Sequence, residues 1–231
     1  MTILDGTKIR KIKPEDAKEI FELEKRVWGS AGATLDMINS RIDTFPEGGY
    51  VAVKDGHVVG VVFFELVDYK NGHKTWYEYT DNGFIKRSHN PSGNMIFGID
   101  LSVSENYSGK RIGTNLLLKV AEFSIKNNLK GGFLGGRIPY YYKYSEMPVG
   151  DYLKFKDESG RLVDPELRFY KRAGLRIKKA LPNYFKDSHS LDYGVLLEWS
   201  NPFYGKGIYP LSLLYVLIFK LAFKIEMAIS K

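Results

Sequence analysis

Two β-rich runs, Tyr50-Val51-Ala52-Val53 and Val58 to Phe64, stand either side of Lys54-Asp55-Gly56-His57. Asp-Gly between apolar runs supplies the two positive-φ positions of a tight turn whose twist matches paired strands. The chain therefore carries an antiparallel hairpin, and whatever it folds into contains a sheet. Helical periodicity surrounds that hairpin. Ile20, Leu23, Val27 and Trp28 recur every three or four residues after Pro14-Glu15-Asp16, a proline and two acids suited to a helix start. Ile112, Leu116, Leu117, Val120 and Phe123 repeat the period, and the stretch from Leu35 to Ile42 does so more weakly.

Residues 7–13, Ile96 to Val103, Phe133-Leu134, Leu175 to Leu181 and Tyr193 to Trp199 read as further strands. Gly135-Gly136 ends the third of these. Asp164-Pro165 opens another helix, carrying Leu167, Phe169 and Tyr170 and stopped by Gly174. The order β-α-(α)-β-β-β-α-β-α-β-β mixes hairpins with crossovers, so the class is α+β, a mixed α/β arrangement. Two long excursions, 68–94 and 137–163, are rich in tyrosine, including Tyr140-Tyr141-Tyr142, Tyr144 and Tyr152. They read either as an aromatic wall for an amine or as loops packing on themselves.

The 231 residues are 44% hydrophobic, enough for a sizeable core. There is no cysteine, which excludes disulfides, thiolate nucleophiles, zinc ribbons and iron–sulfur clusters and fits a reducing cytoplasm. The first twenty residues hold no apolar run, so no secretory signal is expected. A net charge of +7 suits nucleic acid, an anionic membrane or a polyanionic small molecule. Basic residues alternate with acids instead of forming a stripe, which argues against nucleic acid. His57, His73, His89 and His189 lack ligand spacing, and no metal site is expected.

The chemistry concentrates in Val103-Ser104-Glu105-Asn106-Tyr107-Ser108-Gly109-Lys110-Arg111-Ile112-Gly113-Thr114. A strand feeds a glycine-bearing loop, which feeds a helix. The first helical N–H groups have no intrahelical acceptor and carry the positive end of the dipole, so such an end binds phosphate. Lys110 and Arg111 add formal charge. An ordinary strand–helix turn with solvated bases is the alternative at this point.

The run resembles motif A of the GNAT N-acetyltransferase superfamily, Arg/Gln-x-x-Gly-x-Gly/Ala before a helix. Ser108 stands at the Arg/Gln place, Arg111 at the first glycine place, and Gly113-Thr114 at the end. Phe169-Tyr170-Lys171-Arg172-Ala173-Gly174-Leu175 is similar to motif B of the same superfamily. Gly135-Gly136-Arg137-Ile138-Pro139, Asp164-Pro165 and the stretch from Tyr193 to Pro202 look like the acetyltransferase domains found joined to carbon–nitrogen hydrolases. The likeness spans roughly residues 7–203.

The resemblance implies a central mixed sheet with splayed parallel strands and flanking helices, and acetyl-coenzyme A (acetyl-CoA) as cosubstrate. Leu101 and Val103 would hold its pantetheine arm through main chain. Gly109, Lys110, Arg111, Ile112, Gly113 and Thr114 would hold its pyrophosphate. A primary amine, on a small molecule or a peptide, would attack the thioester directly in a ternary complex. Tyr170 would be the acid, with a packing aromatic on its helix as the alternative. The residues themselves leave the base open among Glu65, Asp68 and Asp100, directly or through water, or each as a solvated carboxylate. A catalytically silent coenzyme-A-binding sensor or interaction module is the alternative, motivated by Ser108 and Arg111.

A domain over 1–203 would then be followed by an apolar helix within 204–231. The uninterrupted run from Tyr209 to Phe219 is about half the roughly 20 residues that cross a bilayer, and Lys220, Lys224 and Glu226 follow it. No transmembrane helix is expected. Packing on its own domain, a homodimer contact through 208–230 and a peripheral membrane contact remain open.

Overall fold

The computed structural model describes residues 6–69, 74–206 and 211–229, with side chains as far as 225. His73 and Tyr209 lie outside the described residues. The chain divides into two compact units, residues 1–69 with 77–121 and residues 70–76 with 122–231.

The first unit holds β1 (Lys8–Lys11), β2 (Gly49–Lys54), β3 (His57–Val67) and β4 (Met95–Val103), each antiparallel to the next. The hairpin read from the sequence is β2–β3. Asp55 and Gly56 take φ of +50° and +86°, the left-handed pair its turn requires. Helix α1 (Ala17–Trp28) follows a 3-10 turn over Pro14–Asp16, and α2 (Leu35–Thr44) is capped by Thr34, whose Oγ1 accepts the Met37 N–H at 3.2 Å.

Helix α1 buries Ile20 and Leu23 against β3 and β4. Gly60 of β3 points to the opposite face. A Cβ there would sit 3.0 and 3.3 Å from the side chains of Ile112 and Leu116, the first inward residues of a later helix. Helices thus cover both faces of this four-stranded sheet, the layering that buries both sides of its Val- and Phe-rich strands. The 80–90 loop is tied to α2 by Ser40 Oγ donating to the Phe84 carbonyl at 2.7 Å.

A one-turn α3 (Trp76–Tyr79) lies within the first long excursion, and α4 (Ile112–Lys126) begins in the first unit and ends in the second. The second unit carries β5 (Gly131–Gly136), a one-turn α5 (Val149–Tyr152), α6 (Pro165–Arg172), β6 (Arg176–Leu181), β7 (Gly194–Ser200) and α7 (Leu211–Ile229). β7 pairs antiparallel with β5 on one side and β6 on the other. β5 is glycine-rich because aromatic rings lie on it. A Cβ at Gly135 would fall 2.0 Å from the Tyr184 ring. Asp164 caps α6, accepting the N–H groups of Glu166 at 3.0 Å and Leu167 at 3.2 Å.

In the second excursion, Tyr141 and Tyr152 are buried with ring centroids 4.9 Å apart, and Tyr144 lies 5.5 Å from Tyr152. These three follow the packing alternative. Tyr140 and Tyr142 are exposed, and the Lys143 ammonium sits 4.4 Å from the Tyr140 ring.

Candidate active site

Beyond β4 a 3-10 turn at Glu105–Tyr107 leads through Ser108 to Arg111 into α4. The Ser104 N–H donates to the Val59 carbonyl at 3.0 Å. Strand alternation therefore turns the main-chain groups of Ser102 toward β3, and those of Leu101 and Val103 toward the other edge of β4.

Gly109 takes φ +74° and Arg111 φ +61°. A left-handed backbone at an ordinary side chain costs about 1–2 kcal/mol. Arg111 stands where the motif places its first glycine, and its backbone takes a conformation that glycine adopts without strain. The Asn115 N–H closes the first turn of α4 on the Arg111 carbonyl at 3.0 Å, and Asn115 Nδ2 donates to the same oxygen at 2.9 Å. The Lys110 N–H goes to the Tyr107 carbonyl at 3.3 Å. Among the described residues, the N–H groups of Gly109, Arg111, Ile112, Gly113 and Thr114 have no acceptor. The ammonium groups of Lys110 and Lys54 lie 5.1 and 5.8 Å from the Tyr107 ring centroid. Unbonded amides at a helix N-terminus with lysines beside them fit a diphosphate.

The carboxylates of the first unit form a buried network. Arg41, on the inner face of α2, is 1% exposed, with its guanidinium 5.1 Å from the Phe63 ring centroid. Its Nε donates to the Gly83 carbonyl at 2.8 Å, and its Nη1 is in short contact with Asp100 Oδ2. Asp100 keeps 12% side-chain exposure, and its Oδ1 has no hydrogen-bond partner among the described residues. Two residues on, Ser102 Oγ accepts from Trp28 Nε1 at 2.6 Å and donates to Glu24 Oε1 at 2.5 Å. Burial first, and then the Asp100 charge, pushes Glu24 up to about 8. Glu65 on β3 is fully buried, and neither oxygen has a donor at hydrogen-bond distance among the described residues. Burial pushes it up to about 8 as well, although the nearby Ser88 hydroxyl and Arg41 pull the other way. Glu24 and Glu65 thus hold protons at neutral pH, while Asp100 is matched by a full positive charge. Asp68 is exposed and accepts from Asn90 Nδ2 at 2.8 Å.

In the second unit, Tyr170 on α6 lies against β5, its Cε2 3.1 Å from where a Cβ on Gly136 would stand. Burial raises its phenol, with Glu166 adding to the shift and Arg137 offsetting it. Glu166 is one helical turn earlier on the same face. Arg137 pairs with Asp187 through two bonds of 2.8 and 3.0 Å and lies 4.0 Å from Glu166. The phenol therefore keeps its proton and is a hydrogen-bond donor.

Glu24 and Arg41 were not among the residues expected from sequence. A signal for both exists there: each interrupts an apolar helical stripe, Glu24 between Ile20 and Val27 and Arg41 between Ile38 and Ile42. His57 is exposed and lies 3.6 Å from Glu19.

The model of the acetyltransferase (GNAT) family matches residues 17–136. The chain is 40% identical over 175 residues to the uncharacterized N-acetyltransferase YkwB of Bacillus subtilis (strain 168), spanning 74% of this chain and 76% of that protein. It is 33% identical over 199 residues to the probable hydrolase YhcX of the same organism, spanning 84% of this chain and 38% of that protein. Among solved structures it is similar to the loading GNATL domain of CurA from Lyngbya majuscula. That match has a TM-score of 0.77 and 25% identity, and covers 85% of this chain and 98% of that one. Arabidopsis thaliana NAA60 in complex with acetyl-CoA shares the fold at a TM-score of 0.57 and 17% identity, covering 84% and 99%.

Proposed function

This chain belongs to the GNAT acetyltransferase family, and from that premise we propose that it transfers an acetyl group from acetyl-CoA to a primary amine by direct attack in a ternary complex. Acetyl-CoA is the cosubstrate and supplies the acyl group as an activated thioester. The observation that carries the reading is the start of α4, where amides without acceptors and a glycine-like backbone at Arg111 meet two lysines. Gly109, Lys110, Arg111, Ile112, Gly113 and Thr114 hold the diphosphate in this reading, and the main-chain groups of Leu101 and Val103 hold the pantetheine arm.

An amine reaches neutral solution as an ammonium and must lose a proton before it attacks. Of the three carboxylates named for that role, Asp68 is exposed and bonded to Asn90, Glu65 is sealed and protonated, and Asp100 retains an opening to solvent and is matched by Arg41. Asp100 is therefore assigned the proton, with Arg41 as its positioning residue. Tyr170 is assigned the departing sulfur. A phenol whose proton is held tightly stabilises a thiolate by hydrogen bonding more than by full transfer.

The test is release of free thiol from acetyl-CoA across a panel of small-molecule and peptide amines. Turnover is expected on at least one amine, and Tyr170→Phe should lower kcat tenfold or more while leaving thermal stabilisation by acetyl-CoA unchanged. Stabilisation by the cofactor with no thiol release on any amine would favour the silent binding module. Undiminished turnover in Tyr170→Phe would remove that residue from the mechanism.

A further inference from the structure

Helix α7 is amphipathic in the inverted sense. The side it turns toward the second unit carries its more polar residues: Ser212 is buried, Tyr215 stacks on Phe203 at 4.7 Å and donates its hydroxyl to the Lys206 carbonyl, and Lys220 reaches Glu122 at 2.8 Å. Val216 is buried on the same side, and Phe219 meets the Trp199 ring edge-on at 5.6 Å. The other side is aliphatic. Leu213, Leu214, Leu217, Ile218, Leu221 and Ile225 are each between 44% and 63% exposed. A helix that faces water presents charge there, so this face is built for another occupant.

We propose that α7 seats the protein on an anionic lipid surface, lying in the interface plane with its aliphatic face among the acyl chains. Two observations select lipid over a second copy of the chain. At 100° per residue, the exposed apolar positions from Leu213 round to Leu211 cover roughly half the helix circumference. A two-helix seam uses a narrow stripe and would leave Leu213 and Leu211, at the two edges of the arc, uncovered, whereas a lipid interface covers the whole arc. Positive charge accompanies it. Lys224 on the helix and Lys206 just before it are exposed. Lysines bordering an aliphatic face extend their ammonium groups to anionic headgroups while their stems stay apolar. The helix does not span: no described helix is long and apolar enough to cross a membrane. This inference is independent of acyl transfer, and either stands if the other fails.

The test sediments the full chain with vesicles of phosphatidylcholine alone and with phosphatidylglycerol-rich vesicles. With about 1 kcal/mol for each of Lys206 and Lys224 near the surface, partitioning should favour the anionic vesicles roughly 30-fold. Leu217→Glu with Leu221→Glu should abolish it without changing the circular dichroism or the melting temperature, because both side chains are exposed. Equal partitioning of that double variant, or none by the unaltered chain, would overturn the proposal. So would light scattering that shows a dimer broken by the same two substitutions together with no vesicle binding, since α7 would then serve a second copy.

Discussion

Arg111 combines a strained backbone with a charge placed where a polyanion is expected. At φ +61° its side chain is crowded by its own carbonyl, a cost of about 1–2 kcal/mol that glycine would not bear. Glycine also gains freedom in the unfolded chain, which returns part of that benefit to the unfolded state. Arg111→Gly should therefore raise unfolding free energy by about 0.5–1 kcal/mol, read from the urea midpoint at unchanged slope. The same change removes a guanidinium beside the amides that start α4, so affinity for coenzyme A should fall. A gain in stability with a loss in binding is the pattern of a residue kept for its ligand. A drop in stability would mean instead that the Arg111 side chain holds the loop through its own contacts.

At the scale of elements, α1, α2, β3 and β4 meet around carboxyls that titrate late, and stability should respond to pH in a defined direction. Glu24 and Glu65 ordinarily titrate at 4.5 and are pushed up to about 8 by burial. Between those values the folded chain holds protons that the unfolded chain has released. Stability is then full below about 4.5 and declines as pH rises toward 8, with a slope on the order of 1.4 kcal/mol per pH unit for each group. Melting curves across that window should show the decline, and Glu65→Gln should reduce its slope by about half, leaving the Glu24 contribution, since an amide keeps the shape and never ionises. A melting temperature that rises from pH 5 to pH 8 would contradict the buried, protonated state. These elements also show what sequence could and could not disclose. The hairpin at Asp55-Gly56, the strand entering α4 and the Asp164-Pro165 helix start were legible because each is written in adjacent residues by turn, cap or period. The Glu24–Ser102 bond joins residues 78 apart and Arg41–Asp100 joins residues 59 apart, so neither pairing is encoded locally. What the local pattern does show is a charge seated on an apolar stripe, and a partner buried with it then becomes an expectation. The Tyr-rich loop failed to declare itself for the same reason: nothing in the run distinguishes Tyr141, which is buried, from its neighbours Tyr140 and Tyr142, which are not.

For the molecule as a whole, the net charge of +7 serves both surfaces argued for here, since the cosubstrate and the lipid are each polyanionic. At the cofactor end the contributions separate by their response to salt. Backbone amides that point at a diphosphate act at hydrogen-bond distance and are little screened. Lys54, Lys110 and the summed field act over several ångströms through solvent and are screened strongly. Raising ionic strength from about 0.1 M to about 1 M shortens the Debye length from about 10 Å to about 3 Å, which removes most of the second contribution and leaves the first. Titration calorimetry with coenzyme A should therefore show affinity weakened about threefold or more across that range but still measurable at its upper end. Lys54→Gln combined with Lys110→Gln should start near the high-salt affinity and respond weakly to salt. If the unaltered chain binds equally well at both extremes, the lysines beside Tyr107 take no part and the amides at the start of α4 act alone. If binding vanishes at high salt, the amides do not grip the diphosphate, and the loop from Gly109 to Thr114 loses the role on which the acetyl-CoA site was built.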